Sequence, residues 1–232
     1  MLIDGSTALV TGSNRGLGRH FAQQLVQRGA KVYAGARNID SVDLDGVIPV
    51  QIDITDSASV ARAAETVRDV SILINNAGSY TGASLLAGSL TDIELDVSTH
   101  YLGTLRVIRA FAPLLGNGPK SAILNVLSVL SWVTSPEFGS YSAAKSAGWA
   151  MTNALRLELA GQQTQVSALH VGYVDTDMAS HVDEPKSDPA DVARIALDGL
   201  EAGEPEILAD ELSKQVRAGL AGGVAALYPD FA

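Results

Sequence analysis

The sequence predicts an α/β protein built on a doubly wound parallel β-sheet, with helices on both faces. Three observations predict it. Short apolar runs alternate with longer amphipathic ones along the 232 residues. The short runs are apolar nearly throughout rather than alternating, as strands covered on both faces must be. The segments between them are long enough for helical crossovers, which are right-handed and return each strand parallel to the last.

The elements follow in order. Thr7 to Val10 reads as a strand, followed by a glycine-rich turn and a helix from Gly18 to Gln27 that Gly29 stops. Lys31 to Ala36 and Val47 to Ile52 are the second and third strands, and Ser71 to Asn75 is the fourth. Between the last two lies a helix over Asp56 to Val67, opened by Asp56 as its N-cap. Thr91 to Leu115 reads as one long helix, Ala122 to Leu127 as a fifth strand, and Tyr141 to Ala160 as a helix. Gln165 to His170 is a sixth strand, Asp188 to Leu200 a helix, and Ile207 to Ala209 a last strand. Asp177 to Pro189 is polar, holds two prolines and lacks periodicity, so it reads as a mobile loop.

Composition narrows the function classes. A chain of 232 residues suits one domain with a large core, here expected to run over 1–232. With 47% hydrophobic and 18% charged residues it has the balance of an ordinary globular protein. A formal charge of -10 weighs against nucleic-acid binding, because a phosphate backbone rewards positive surface. With no cysteine there is no disulfide, thiolate catalysis or cysteine metal site. The four histidines (His20, His100, His170 and His181) have no ligand-pair spacing, so no metal site is expected. No apolar run approaches the roughly 18 residues that cross a bilayer. Met1 to Asp4 lead almost directly into a strand without a targeting pattern. The expectation is a cytoplasmic protein with neither membrane nor nucleic-acid partner.

The first strand runs into Thr11-Gly12-Ser13-Asn14-Arg15-Gly16-Leu17-Gly18 and then a helix. Glycines there permit a tight turn and let backbone amides approach a pyrophosphate, while the helix N-terminus adds partial positive charge. A site for NAD places a carboxylate at the end of the second strand, for the ribose 2′-hydroxyl. This chain has Ala36-Arg37-Asn38 instead, with Arg15 inside the glycine loop. Two guanidinium groups without the carboxylate suit a 2′-phosphate, hence NADP(H).

Tyr141 and Lys145 lie four residues apart, on one face of their helix. A phenol titrates near about 10 and is a poor base at neutral pH, whereas a neighbouring ammonium favours the phenolate. Ser128 follows the fifth strand, at the sheet edge where open α/β proteins bind ligands.

Taken together, Thr11-Gly12-xxx-Gly16-x-Gly18, Asp53, Asn75-Asn76-Ala77-Gly78, Ser128 and Tyr141-xxx-Lys145 resemble the short-chain dehydrogenase/reductase family, in order and spacing over nearly the whole chain. The resemblance implies a Rossmann-type fold and an oxidoreductase that moves a hydride between NADP(H) and a small carbonyl or alcohol substrate. It implies Tyr141 as general acid/base, Lys145 lowering its pKa and holding the nicotinamide ribose, and Ser128 orienting the substrate oxygen. The cofactor would lie on Gly12, Ser13, Asn14, Arg15, Gly16, Leu17 and Gly18, with Arg37, Asp53, Ile54, Asn76, Ala77, Gly78, Tyr141, Lys145, Gly172, Val174 and Thr176. The resemblance also implies a homodimer or homotetramer built on the helices Thr91 to Leu115 and Tyr141 to Ala160.

Two positions depart from the family pattern. His100, in His100-Tyr101-Leu102-Gly103, stands where the family has an Asn that serves a proton relay. A neutral imidazole both donates and accepts, so His100 is carried as a candidate relay residue beside the reading as a satisfied buried histidine. Val171-Gly172 stands where Pro-Gly is usual, with no chemical group lost. Trp132, Phe138, Tyr173 and Met178 are expected near the sheet's C-terminal edge, lining an apolar pocket. The alternative of another class is a cofactor-binding sensor that has lost turnover, with His100 the feature in its favour.

Overall fold

The computed structural model describes residues 2–116 and 120–229. Its strands are β1 (Thr7–Thr11), β2 (Lys31–Ala36), β3 (Val47–Gln51), β4 (Ile72–Asn75), β5 (Ser121–Val126), β6 (Thr164–His170) and β7 (Glu206–Leu208). They form one parallel sheet in the order β3-β2-β1-β4-β5-β6-β7, the doubly wound Rossmann-type arrangement that the apolar runs predict. The helices are α1 (Gly16–Gln27), α2 (Ser57–Thr66), α3 (Leu90–Val97), α4 (Thr104–Leu115), α5 (Gly139–Glu158), α6 (Pro189–Ala202), α7 (Glu211–Gly219) and α8 (Gly223–Leu227).

Both faces of the sheet are covered, which is why the strand sequences carry little alternation. On one face Phe21, Leu25, Val192 and Leu197 of α1 and α6 pack on Ala8, Val10, Ile72 and Leu124. On the other, Val60, Ile108, Phe111 and Leu155 of α2, α4 and α5 pack on Leu9, Leu73 and Ile123. The central strands β1, β4 and β5 are buried along nearly their whole length, and the sheet is accordingly the rigid platform of the molecule.

The strand order reverses direction between β1 and β4, which pair with each other while β2 and β5 extend the sheet to opposite sides. Side chains ahead of such a switch point cannot be roofed by a crossover, so a crevice opens at the strand C-termini. Thr11 stitches its floor: the hydroxyl donates to Ile74 O at 3.4 Å and accepts the N–H groups of Asn76 and Ala77 at 3.0 and 3.1 Å. A second stitch runs inward. Asn75 Nδ2 donates to Asn125 Oδ1 at 2.8 Å, and Asn125 Nδ2 donates to Thr152 Oγ1 at 2.9 Å. Thr152 in turn donates to Gly148 O, so β4, β5 and α5 are held in one buried register.

One expected element is corrected. The helix read over Thr91 to Leu115 is broken into α3, a π-helical segment over Ser98–Gly103, and α4. The wider turn admits extra residues without leaving the helix axis, and it keeps Thr99, His100 and Gly103 buried together. The segment Asp177 to Pro189 is less free than its composition implies. Asp177–Ala179 forms a short 3-10 turn, and Val174 bridges Ser187 in parallel.

Candidate active site

The glycine loop takes its shape from what surrounds it. Gly12 has φ +67, and a Cβ there would lie 2.9 Å from Ala77 Cα, so β1 can pass the β4 turn only without a side chain. A Cβ on Gly18 would overlap the Gly12 carbonyl oxygen and Asn76 Nδ2. Asn76 Nδ2 meanwhile donates to Thr11 O and Gly12 O at 3.0 and 3.1 Å, which ties the two turns into one floor. Ser13 is buried and its N–H and hydroxyl both reach Gly35 O, fastening the loop to β2. Leu17 packs on the core beneath, and Asn14 is half-buried beside it.

The start of α1 is shaped for an anion. Helices α2, α3, α6 and α7 each open on a side-chain cap, from Asp56, Ser89, Asp188 and Asp210. Helix α1 opens on Arg15 with no side-chain cap and no acidic residue in its first turn. Its first turn therefore has no side-chain cap among the described residues and carries the positive end of the helix dipole. Uncapped amides over a floor that excludes side chains fit a dinucleotide pyrophosphate.

The predicted adenosine end is assembled beside it. Asp53 accepts from the Thr55 N–H and hydroxyl at 2.9 and 2.7 Å. Partial burial works the other way, but these bonds and the nearby Arg37 charge hold its carboxyl below the ordinary value. Ile54 is buried next to Asp53, against Gly103. Arg15 is exposed and forms an ion pair with Asp177 at 3.0 Å, a partner the sequence did not reveal. At the far end Thr176 closes on the loop, since a Cβ on Gly16 would be 3.2 Å from its Cγ2. Gly172 donates its N–H to Asp210 Oδ2 at 2.6 Å, so the turn after β6 is pinned where Val174 and Thr176 leave it.

Tyr141, Lys145 and His100 meet from two segments, and Ser128 follows β5, whose Val126 accepts from Lys145. Lys145 is buried, with Nζ 5.4 Å from the Tyr141 ring centroid and donating to Val126 O at 2.9 Å. His100 stands edge-on to the same ring, with centroids 5.0 Å apart. Ser128 accepts the Leu130 N–H at 3.1 Å and gives its own hydroxyl to Val171 O at a long 3.4 Å. Its main chain is clamped from below, where His170 Nδ1 lies 3.2 Å from Ser128 O.

The electrostatics differ from the sequence expectation at one point. Burial, followed by the charge of Asp96, pushes the Tyr141 hydroxyl above its ordinary value, and the Lys145 ammonium does not offset it. The reason is geometric: Lys145 sits beside the ring and is bonded to Val126. Burial alone lowers Lys145 to about 8. In this state Tyr141 is a neutral phenol holding its proton, the form required of a proton donor.

His100 Nε2 lies 2.6 Å from the Ser79 carbonyl, so the proton of the neutral ring sits on Nε2 and is donated there. Burial, then the Lys145 charge, push His100 down to about 3, and burial lowers His170 to about 4. Both fold as neutral rings, whereas in the unfolded chain they titrate near about 6.5. Below that pH the unfolded state takes up protons that the folded state refuses. Stability is therefore complete above about 6.5 and falls on acidification, by roughly 1.4 kcal/mol per pH unit for each histidine. Urea unfolding between roughly pH 6.5 and 5 checks this. The slope of stability against pH should shrink by about half in His100→Asn, and an unchanged slope would contradict it.

The pocket expectation is corrected in part. Phe138 and Tyr173 lie together near the site, 6.3 Å apart by centroid. Trp132 does not line it: the indole stacks on buried His170 at 3.7 Å and meets Trp149 edge-on. An aromatic after β5 reads the same in sequence whether it faces the crevice or packs on its neighbours, and here it packs on His170 and Trp149. Met178 is 43% exposed. Tyr80, absent from the sequence reading, packs edge-on against Tyr141 at 5.8 Å. Its only signal is an aromatic two residues past Gly78. A surface groove of about 390 Å³ between α2 and α4, lined by Val60, Leu102, Leu105 and Arg106, holds none of the predicted site residues.

Known proteins share the family and the fold of this chain. A family model described as short chain dehydrogenase matches residues 6–187. A crystal structure of a short chain dehydrogenase from Burkholderia cenocepacia in complex with NADP is 38% identical. It covers 99% of this chain and 98% of that one, with a TM-score of 0.95. A short chain dehydrogenase/reductase from Burkholderia phymatum in complex with NAD is 25% identical over 95% of each chain, with a TM-score of 0.85. Among curated proteins, an NADP-dependent 3-hydroxy acid dehydrogenase of Schizosaccharomyces pombe is 27% identical over 90% of this chain and 92% of its own. No helix among the described residues is long and apolar enough to cross a membrane. The chain belongs to the short-chain dehydrogenases/reductases, oxidoreductases that act on alcohol and carbonyl groups with a nicotinamide cofactor.

Proposed function

We propose that the protein is an NADP(H)-dependent carbonyl reductase, also able to run as an alcohol dehydrogenase, with a small, apolar carbonyl or secondary alcohol as substrate. The observation that carries this reading is Tyr141, a protonated phenol flanked by Lys145 and His100, with Ser128 following β5. Bound NADPH supplies the hydride. Tyr141 gives its proton to the substrate oxygen, and Ser128 exchanges its long bond to Val171 O for that same oxygen. Lys145 holds the nicotinamide ribose, and its positive charge steadies the tyrosinate until a proton returns from solvent. His100, bonded to Ser79 O, positions the ring of Tyr141 and stands on the return path of that proton. Gly12 to Gly18, Asn76 to Gly78, Asp53, Ile54, Gly172, Val174 and Thr176 line the cofactor.

Arg15 and Arg37 support the 2′-phosphate and therefore NADP(H) over NAD(H). In the structure Arg15 is engaged by Asp177, so phosphate and carboxylate compete for one guanidinium. An exposed pair of this kind contributes about 0.2–1 kcal/mol. Asp177→Asn is accordingly expected to tighten NADPH binding about two- to fivefold and leave NADH binding unaltered. Equal shifts for both nucleotides would contradict the assignment of Arg15.

The same reading takes residues 1–232 as one cofactor-binding and catalytic domain in the cytoplasm, acting as a homodimer or homotetramer. Exposed Leu102, beside α4, and Leu157, on α5, supply apolar surface to the expected subunit contact. The test is a fluorescence titration with NADPH and NADH, followed by a panel of carbonyls with the tighter nucleotide. NADPH preference with turnover supports the reading. Tight NADPH binding without turnover on any carbonyl supports a sensor instead.

A further inference from the structure

We propose that the site selects an uncharged aryl ketone or aldehyde and turns away carbonyl substrates bearing a carboxylate; this rests on the carbonyl-reductase reading above. The first ground is the ring enclosure around Tyr141. Tyr80 meets Tyr141 edge-on at 5.8 Å, lies 5.6 Å from Phe138, and stacks on His181 at 5.6 Å with an interplanar angle of 2°. Phe138 reaches on to Tyr173. These rings come from four separate segments: the turn after β4, the approach to α5, the turn after β6, and the strap 177–188 that lies beyond it. A core aromatic cluster is buried on every side, but these rings are not. Tyr80, Phe138 and Tyr173 remain partly accessible and His181 is exposed. Flat faces held edge-on and parallel at these spacings match the offset and T-shaped arrangements that aromatic rings prefer, so an aryl group inserted among them gains contacts that an alkyl group of equal size does not.

The second ground is charge. Asp96 is wholly buried and accepts from Thr81 at 2.8 Å, with its other oxygen lacking a partner among the described residues. It acts on both Tyr80 and Tyr141, while Glu137 acts on Tyr80 and Tyr173 and Glu184 acts on Tyr173. After burial, Tyr173, Asp96 and Glu137 raise the Tyr80 hydroxyl, Asp96 and Tyr80 raise that of Tyr141, and Glu184 and Glu137 raise that of Tyr173. The cation at the site, Lys145, is buried and bonded to Val126 O. An incoming carboxylate would thus meet the buried Asp96 carboxyl, with exposed Glu137 and Glu184 at the rim, an arrangement that disfavours an anionic ligand. The stack of His181 on Tyr80 places the strap over the enclosure, so the same rings that accept the aryl group also close over it.

Three ketones separate the two grounds: acetophenone, cyclohexyl methyl ketone of matching size, and benzoylacetate, which adds a carboxylate to the aryl ketone. With NADPH binding first confirmed, the wild-type protein should reduce acetophenone with kcat/KM about tenfold above the cyclohexyl ketone and at least about a hundredfold above benzoylacetate. Tyr80→Leu should bring the first ratio towards one. Glu184→Lys should raise kcat/KM for benzoylacetate relative to acetophenone, which a merely structural glutamate would not do. Equal or better turnover of the cyclohexyl ketone or of benzoylacetate by the wild type overturns the inference and leaves the reductase standing. NADPH binding with no turnover of any carbonyl overturns both. The wild-type ratios need no variant to fold.

Discussion

Tyr141→Phe is expected to lower kcat by about 10²–10⁴-fold, the usual contribution of a positioned proton donor, while NADPH affinity and thermal stability change little. The structure separates these effects. Among the described residues the Tyr141 side chain is held by ring contacts to His100, Tyr80 and Lys145, so removing the hydroxyl leaves no buried partner unsatisfied. What the ring contributes to packing, against His100, Tyr80 and Lys145, is kept by phenylalanine. A loss confined to kcat therefore reports proton transfer. A comparable loss of NADPH binding would mean that Tyr141 is part of the nucleotide cradle rather than the proton donor. Turnover within about threefold of wild type would remove Tyr141 from the reaction, because general acid catalysis is worth far more than that.

The second large effect is expected at Gly18. Gly18→Ala adds a methyl group that would overlap the Gly12 carbonyl oxygen and Asn76 Nδ2, both part of the rigid floor. The better helix propensity of alanine favours the variant by about 0.5–1 kcal/mol. Overpacking against backbone costs about 1–3 kcal/mol, so the clash wins and the loop must shift. The shift breaks the Asn76 bonds to Thr11 and Gly12 and moves the first amides of α1. NADPH binding should weaken by about a hundredfold or more, as two or three charge-assisted hydrogen bonds are lost at about 1.5–3 kcal/mol each. Unfolding should occur at lower denaturant, and fluorescence titration of the folded protein measures the binding loss. Wild-type affinity in Gly18→Ala would mean that the nucleotide does not rest on this loop.

The order of elements was legible because a doubly covered sheet leaves its mark directly on the sequence. Buried strands such as Leu9-Val10 and Ile72-Leu73-Ile74 are continuous apolar runs, and the intervening helices show a one-sided pattern. The glycine loop and the Tyr141 and Lys145 pair were legible because their spacing is itself the geometry. What escaped has a common physical origin. The π-helical segment at Ser98–Gly103 keeps the composition of a helix and changes only its hydrogen bonding. Asp177 engages Arg15 across 162 positions of sequence, and an ion pair between distant loops leaves no local pattern. Tyr80 sits in an irregular stretch without a period, and Trp132 was misplaced because an apolar ring at a strand end reads alike for crevice and core. The Tyr141 environment was legible only in part for a related reason. Spacing shows that Lys145 is near, but only the structure shows that its ammonium is bonded to Val126 and that burial dominates.

The most direct measurement uses NADPH carrying deuterium at both positions of the hydride-donating carbon, incubated with the protein and a neutral aryl ketone, with the alcohol product analysed by mass spectrometry. Direct hydride transfer at a site organised by Ser128, Tyr141 and Lys145 predicts one deuterium on the carbinol carbon with the wild-type protein. It predicts almost no product with Tyr141→Phe at equal NADPH occupancy. Product free of deuterium, or equal yield from the variant, would contradict it.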